Sequence, residues 1–320
     1  MQNQSGPTNE SAETTSCHEA IASEVKAFQA KEGVVNRLIR LLNIDPIGDD
    51  HFIGQSEDLG FRNVFGGQVL AQSLMAAYKT VQGRVAHSMH AYFLRPGDAT
   101  VPIEYKVDRI RDGGSFSARR VVALQRDREI CTLTASFQEE ESGFEHQFAM
   151  PDSESPESLF SELQLRRMVI EKIPERMREQ ATRERPIEIR PVHPVNMFRP
   201  DKRSPHKQNW FRAADEMPDA LCLHHCVLTY ASDFGLLGTS MLPHEVTYYT
   251  RGMQVASLDH ALWFHRPFRV DEWLLYDMDS PSASAGRGLN RGNIYNQAGE
   301  LVASVCQEAL IRRRPPHQKG

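Results

Sequence analysis

The distribution of apolar and polar positions singles out residues 219–243 as a buried helix. After Asp219, every residue up to Pro243 is apolar, small, hydroxylic or histidine, with Asp233 as the exception. Apolar side chains recur at helical spacing on more than one face, at Leu221, Leu228, Ala231 and Phe234 and again at Leu223, Val227 and Tyr230. A carboxylate on such a helix must be hydrogen-bonded or protonated, because an unpaired buried charge is costly. Asp233 is therefore either the cap of a helical turn that starts at Phe234 or a functional acid.

A second long helix is predicted within residues 61–81. Gly66 and Gly67 precede a wide apolar stripe, formed by Val69, Leu70, Leu74, Ala77 and Tyr78. Paired glycines let another backbone or a ligand approach closely, and the free N–H groups of a helix start can bind an anion. A tight turn with close packing is the more common reason for such a pair, and the sequence leaves both interpretations open.

Both long helices are followed by segments that alternate as antiparallel strands. In the first half these segments lie within residues 87–138, where a turn at 126–129 joins the last two strands. Three landmarks recur in the second half in the same order and at nearly equal spacing: residues 93–96 and 264–267, 115–119 and 282–287, and 135–138 and 304–307. We interpret this recurrence as duplication of one helix-plus-sheet unit, which predicts an α+β fold.

The same patterns predict how the chain divides into domains. Residues 1–30 form a polar extension that we expect to be disordered, and residues 31–145 form the first unit. Residues 146–190 form a linker with its own helix, because a stretch rich in proline, serine and acid precedes a charged helical pattern. Residues 191–315 form the second unit. Only this second unit carries an acidic residue on its long helix, so the two copies have diverged.

Composition excludes several classes of function. The chain has 320 residues, 40% hydrophobic and 25% charged, with a formal net charge of −5, so no basic field would attract nucleic acid. Its N-terminus has neither the basic nor the apolar region of a secretory signal, and no apolar run is long enough to span a bilayer. Five cysteines without framework spacing indicate a reducing compartment. We therefore expect a cytoplasmic protein with no membrane association.

The available chemistry is limited to a few polar residues. The chain lacks a serine nucleophile elbow and a glycine-rich phosphate loop. Cys222, His225 and Cys226 have no partner motif that would complete a metal site, so we predict neither a metal nor a cofactor. The second unit offers Asp233, together with Ser257 and Gln307 on predicted strands. A carboxylate, a hydroxyl and an amide can together hold and activate a water, although each residue also has an ordinary structural interpretation.

The chain resembles the type II acyl-CoA thioesterases of bacteria and peroxisomes over residues 34–312. The resemblance rests on GQSEDLG (54–60), VFGGQVLAQ (64–72), HSMHAYFLRPGD (87–98), RDGGSFSARR (111–120), TASFQ (134–138), YASDFGLL (230–237), ASLDHALWFHRPF (256–268), EWLLYDMDSPSASAGRG (272–288) and LVASVCQE (301–308). It implies a double hotdog fold, in which two tandem units each wrap an antiparallel sheet around a long helix. It also implies hydrolysis of fatty acyl-CoA to free fatty acid and CoA.

The resemblance carries a catalytic trio onto Asp233, Ser257 and Gln307. Many bacterial members have threonine where this chain has Ser257, and since the hydroxyl is kept we expect activity to survive. Further site residues are expected as follows: oxyanion donors at Gly67 and Gln68, an acyl tunnel bounded by Phe65, Trp263 and Phe264, and CoA-phosphate contacts from Arg287 and Arg291. Exposed sheet edges predict a homodimer or homotetramer.

The same fold could also serve two other functions, one non-catalytic and one enzymatic. A protein of this fold could bind or sense acyl-CoA without hydrolysing it, but the presence of all three polar residues is an argument against that reading. A hotdog dehydratase needs an aspartate and a histidine poised at one substrate carbon. Asp259 and His260 are adjacent on a predicted strand, so they would face opposite sides of the sheet.

Overall fold

The computed structural model describes residues 32–60 and 63–314. The helices are α1 (Val34–Leu42), α2 (Gly66–Tyr78), α3 (Glu162–Met168), α4 (Glu175–Ala181) and α5 (Leu221–Ser232), with 3-10 turns at Pro156–Ser158, Ile170–Lys172 and Leu237–His244. The strands are β1 (Asp45–Gly48), β2 (His51–Gly54), β3 (Val85–Phe93), β4 (Ile103–Asp112), β5 (Phe116–Gln125), β6 (Arg128–Gln138), β7 (Ile187–Pro191), β8 (His206–Ala213), β9 (Met253–Ser257), β10 (Asp259–Phe264), β11 (Leu274–Ser284), β12 (Arg287–Asn296) and β13 (Leu301–Arg313).

The strands form one antiparallel sheet with the order β1-β2-β4-β5-β6-β3-β10-β13-β12-β11-β8-β7, and β9 pairs with β13 away from this path. The order β2-β4-β5-β6-β3 in the first half is repeated as β8-β11-β12-β13-β10 in the second. The two copies join where β3 pairs with β10, with Ser88 opposite Trp263. The predicted α+β fold of two tandem helix-plus-sheet units is confirmed.

The two long helices lie inside the curved sheet. Residues 67–78 of α2 and 222–232 of α5 are all buried, because both sequences are apolar or small around the whole circumference. The buried helix predicted from residues 219–243 is thus confirmed, but it ends at Ser232 and Asp233 is its C-terminal cap residue. The next helical segment begins only at Leu237, so the interpretation of Asp233 as the cap of a turn starting at Phe234 is wrong.

Local sequence signals explain most element boundaries. The helix predicted within residues 61–81 spans Gly66–Tyr78. The predicted turn between β5 and β6 is formed by Arg126 and Asp127, both with positive φ, as a tight hairpin requires. The predicted linker helix is instead two short helices, α3 and α4. The extension predicted at residues 1–30 lies outside the described residues, and the domain boundaries stay predictions.

Gly66 and Gly67 lie where the start of α2 packs against the end of α5. An added Cβ on Gly67 would lie 2.5 Å from the carbonyl oxygen of Tyr230 on α5. An added Cβ on Gly66 would lie 2.8 Å from a carboxylate oxygen of Asp233. These glycines are therefore needed for close packing, and the same packing brings the start of α2 against Asp233.

Candidate active site

Asp233 lies where the C-terminus of α5 meets the N-terminus of α2. Its Oδ2 atom accepts a hydrogen bond of 2.9 Å from the backbone N–H of Gly67, which is 166 residues away in the chain. The first turn of a helix has unpaired N–H groups and a partial positive charge, and both stabilise an ionised carboxylate. The half-buried Asp233 is thereby anchored at the junction of the two units.

Gln307 and Ser257 converge on the other oxygen of the same carboxylate. Gln307 Nε2 donates to Asp233 Oδ1 at 2.7 Å, and Ser257 Oγ donates to that atom at 3.4 Å. Pairing of β9 with β13 brings the end of β9 here, with Ser257 opposite Ala309. Gln307 points inward and is fully buried, whereas the neighbouring Cys306 is only partly buried. The structure thus brings together the three residues predicted from the sequence.

Behind Gln307 lies a histidine that was not among the predicted site residues. His260 on β10 is fully buried, and its Nδ1 atom lies 3.0 Å from Gln307 Nε2. Its Nε2 atom lies 2.9 Å from the hydroxyl of Ser232, the last residue of α5. Burial lowers the pKa of His260 from 6.5 to about 4, although the charge of Asp233 acts in the opposite direction.

One acceptor in this network has no partner. Gln307 Oε1 is buried and makes no hydrogen bond to any described residue. Buried polar atoms are nearly always paired, so an orphaned acceptor beside a carboxylate is typical of a site that binds a water or a ligand. The sequence gives no signal for this, since it depends on which way the amide faces.

Asp259 and His260 lie on opposite faces of β10, as the alternation of a strand requires. Asp259 Oδ1 accepts a hydrogen bond from the backbone N–H of Glu308 at 2.6 Å, while His260 faces the helices. The two side chains do not meet at one point, as a dehydratase site would require.

The aromatic residues predicted to bound an acyl tunnel lie in three different contacts. Phe65 stacks on Phe234 with ring centroids 4.4 Å apart, and its edge meets Tyr230 at 5.2 Å. Phe264 faces the helices and stacks on His225, whereas Trp263 projects from the other face of β10 and packs against His90. The expectation that Trp263 and Phe264 bound the same tunnel is therefore corrected, because adjacent strand residues face opposite sides.

The predicted oxyanion donors are already engaged. Gly67 N–H donates to Asp233, and Gln68 N–H donates to the carbonyl of Phe65 at 3.1 Å. The side chain of Gln68 is buried, where Nε2 donates to Gln55 O at 2.9 Å and Oε1 accepts from Glu57 N–H at 3.1 Å. Gln68 thus holds the chain that follows β2 against α2.

The predicted CoA-phosphate residues lie on the exposed side of β12. Arg287 pairs with Glu308 at 2.9 Å, and Arg291 pairs with Asp279 at 2.8 Å. A phosphate would have to compete with a carboxylate for each guanidinium. Asn290, between them, faces inward and is fully buried. The role of both arginines stays a prediction.

Other features of the described residues bear on the range of possible sites. Two surface cavities, one bordered by Arg212 and Arg269 and one by Arg37 and Arg183, include none of the trio. Within residues 32–60 and 63–314, no group of three or more His, Cys, Asp or Glu side chains is arranged to hold a metal ion. None of the helices in these ranges is both long enough and apolar enough to cross a membrane.

The chain is similar to known proteins over most of its length. A family described as "Acyl-CoA thioesterase" matches residues 176–310, and one described as "Acyl-CoA thioesterase N-terminal domain" matches residues 56–138. The chain is 44% identical over 280 residues to acyl-CoA thioesterase 2 of Haemophilus influenzae, which covers 87% of this chain and 98% of that protein.

Solved structures give the same result. An acyl-CoA thioesterase II from Mycobacterium marinum superposes with a TM-score of 0.70 at 41% identity, covering 87% of this chain and 99% of that one. A protein with a hot dog fold from Alicyclobacillus acidocaldarius superposes with a TM-score of 0.68 at 16% identity, covering 90% of this chain and 99% of that one. This last similarity concerns the fold alone. The double hotdog prediction is confirmed.

Proposed function

The chain belongs to the type II acyl-CoA thioesterase family, and we propose that it hydrolyses fatty acyl-CoA to a free fatty acid and CoA through a water activated by Asp233. The observation that carries this proposal is the convergence of Gln307 Nε2 and Ser257 Oγ on one oxygen of Asp233, at 2.7 and 3.4 Å. The other oxygen is anchored by Gly67 N–H at 2.9 Å. A carboxylate held by three donors in this way is fixed in direction, as a general base must be.

The proposed reaction needs no covalent intermediate on the enzyme. Asp233 takes a proton from a water while the water oxygen attacks the thioester carbonyl carbon, which gives a tetrahedral intermediate with a negative oxygen. When that intermediate collapses, the carbon–sulfur bond breaks and the sulfur leaves as the CoA thiolate. The proton held by Asp233 passes to that thiolate. The products are the fatty acid and CoA.

Gln307 and Ser257 have complementary roles in this scheme. Gln307 Nε2 orients Asp233, and Gln307 Oε1 is a buried acceptor that can take the second hydrogen of the attacking water. Ser257 can donate either to Asp233 or to the water, since its contact to the carboxylate is long. Both residues thus direct the lone pair of the water towards the substrate carbon.

Substrate binding is assigned by position and chemistry. We expect the acyl chain to lie against Phe65, near the aromatic cluster that it forms with Phe234. An oxyanion near Gly67 and Gln68 would share the N–H that now holds Asp233. We also predict a homodimer or homotetramer, because β1 and β7 end the sheet and leave edges that can pair with another subunit. A cytoplasmic location stays a prediction.

The proposal is tested by measuring thiol release from acyl-CoAs of graded chain length, together with equilibrium binding of the same compounds. Saturable thiol release with a preferred chain length would support hydrolysis. Tight binding without thiol release at any chain length would contradict it, and would indicate a protein that binds or senses acyl-CoA.

A further inference from the structure

The hydrogen bonds around His260 form a chain whose direction is fixed at one end. Ser232 Oγ donates to the carbonyl oxygen of Thr229 at 2.9 Å, and a carbonyl can only accept. When the single hydroxyl hydrogen of Ser232 is used there, Ser232 Oγ accepts from the Nε2 atom of His260, 2.9 Å away. The imidazole is therefore protonated on Nε2.

The same argument then fixes the other end of the imidazole. A neutral histidine with its hydrogen on Nε2 has a bare Nδ1, which accepts from Gln307 Nε2 at 3.0 Å. Neutrality is consistent with complete burial, which lowers the pKa of His260 to about 4. Thus both hydrogens of the Gln307 amide are assigned, one to His260 and one to Asp233 Oδ1 at 2.7 Å.

The reverse orientation of the amide is disfavoured at both contacts. It would place Gln307 Oε1 against the ionised oxygen of Asp233, where two acceptors repel each other. It would also require His260 to carry its hydrogen on Nδ1. Nε2 would then have no hydrogen to donate to Ser232 Oγ. The network therefore has one arrangement that satisfies His260, Ser232 and Asp233 together.

We propose that His260 is a positioning residue that fixes the amide of Gln307, with Nε2 towards Asp233 and Oε1 left free for the attacking water. This role rests on the hydrolytic function proposed above. His260 does not touch the reacting atoms and exchanges no proton with them. It acts through Gln307, whose buried and unpartnered Oε1 is the atom that the arrangement presents.

Two substitutions of His260 separate this role from simple packing. In His260→Asn, the side-chain oxygen lies near the position of Nδ1 and can still accept from Gln307. In His260→Gln, the amide reaches the position of Nε2 and can still donate to Ser232, but the acceptor for Gln307 is lost. We expect the asparagine variant to keep kcat within about tenfold and the glutamine variant to lose on the order of a hundredfold, as misoriented catalytic groups do.

KM should change little in either variant, because His260 is buried behind Gln307. A packing role predicts the opposite order, since asparagine leaves the larger cavity. If the glutamine variant keeps more activity than the asparagine variant, with both folded by their melting temperatures, the proposal is wrong.

A second measurement does not depend on activity. Nitrogen NMR of the wild-type protein, with the His260 signals assigned by their loss in His260→Asn, reports which ring nitrogen carries the hydrogen. The proposal requires the hydrogen on Nε2, and a hydrogen on Nδ1 would overturn it. If the wild type released no thiol from any acyl-CoA, the hydrolytic function would fail instead, and the tautomer measurement would still test the network.

Discussion

Substitution of Gly67 by alanine should disturb the site more than it disturbs the fold. An alanine Cβ would lie 2.5 Å from the backbone oxygen of Tyr230 and 2.6 Å from the ring of Phe65, whereas ordinary contacts begin at 3.4 Å. The backbone oxygen belongs to a buried helix and cannot rotate away. The two helices must therefore separate by up to about 0.9 Å at this point, the gap between 2.5 and 3.4 Å.

The consequence for catalysis follows from the hydrogen bond that Gly67 makes. Its N–H lies 2.9 Å from Asp233 Oδ2, so the same displacement would break that bond or turn the carboxylate. A misplacement of about 1 Å lowers catalytic rates by on the order of a hundredfold. Overpacking costs about 1–3 kcal/mol, and the better helix propensity of alanine offsets about 1 kcal/mol of it.

The assay compares kcat for thiol release and the melting temperature of Gly67→Ala with those of the wild type. The matched control is Gly114→Ala, because an added Cβ on Gly114 meets nothing within 4 Å. We expect a large loss of kcat and a fall of a few degrees in melting temperature for Gly67→Ala, and neither for the control. Wild-type kcat in Gly67→Ala would refute the inferred coupling between helix packing and Asp233.

Three further predictions concern single side chains. Ser257→Ala should lower kcat by about tenfold and Ser257→Thr should not, because the long contact to Asp233 needs only a hydroxyl; equal rates in both variants would contradict this. Arg119→Met should lower the free energy of unfolding by about 3 kcal/mol in denaturant titrations, because the buried guanidinium donates to the backbone carbonyls of Thr80, Arg111 and Ala118; an unchanged midpoint would show that these contacts are dispensable. Burial lowers the pKa of His225 from 6.5 to about 3, so the folded state binds fewer protons than the unfolded state between these values. The contribution of His225 to stability is full above pH 6.5 and is lost as the pH falls towards 3, by up to about 1.4 kcal/mol per pH unit. In His225→Gln, the free energy of unfolding should depend less steeply on pH over this range, by the equivalent of one proton.

Much of the fold could be predicted from local sequence patterns. The two long helices are apolar around their circumference, and the hairpin between β5 and β6 has a recognisable turn. The duplication could be inferred from landmarks that recur in the same order in both halves of the sequence. The repeated strand order of the sheet agrees with it. The split of the linker into α3 and α4 was missed, since a charged sequence gives no apolar stripe from which to find its interruptions.

The residues of the candidate site could be predicted from the sequence, but the contacts between them could not. Asp233 stood out as the lone acid on a buried helix, yet its contact with Gly67 joins residues 166 positions apart. His260 was not predicted as a site residue, although it alternates with the buried Leu262 and Phe264. A histidine in a row of inward-facing positions was the available signal. The same alternation separates Trp263 from Phe264.

The partners of Arg287 and Arg291 could not be predicted from the sequence. Their position and charge suggested phosphate binding, but each pairs with a carboxylate on a neighbouring strand. Cross-strand partners depend on register, which a single sequence specifies only through the pairing of the whole sheet.

The central claim is that Asp233 activates the water that attacks the thioester. The most direct test is the rate of thiol release by Asp233→Asn and by the wild type, measured side by side at saturating acyl-CoA. Asparagine keeps the size of the side chain but cannot accept the proton, so we predict a fall of about two to four orders of magnitude with folding and acyl-CoA binding retained. A folded Asp233→Asn variant that releases thiol at the wild-type rate would contradict the account.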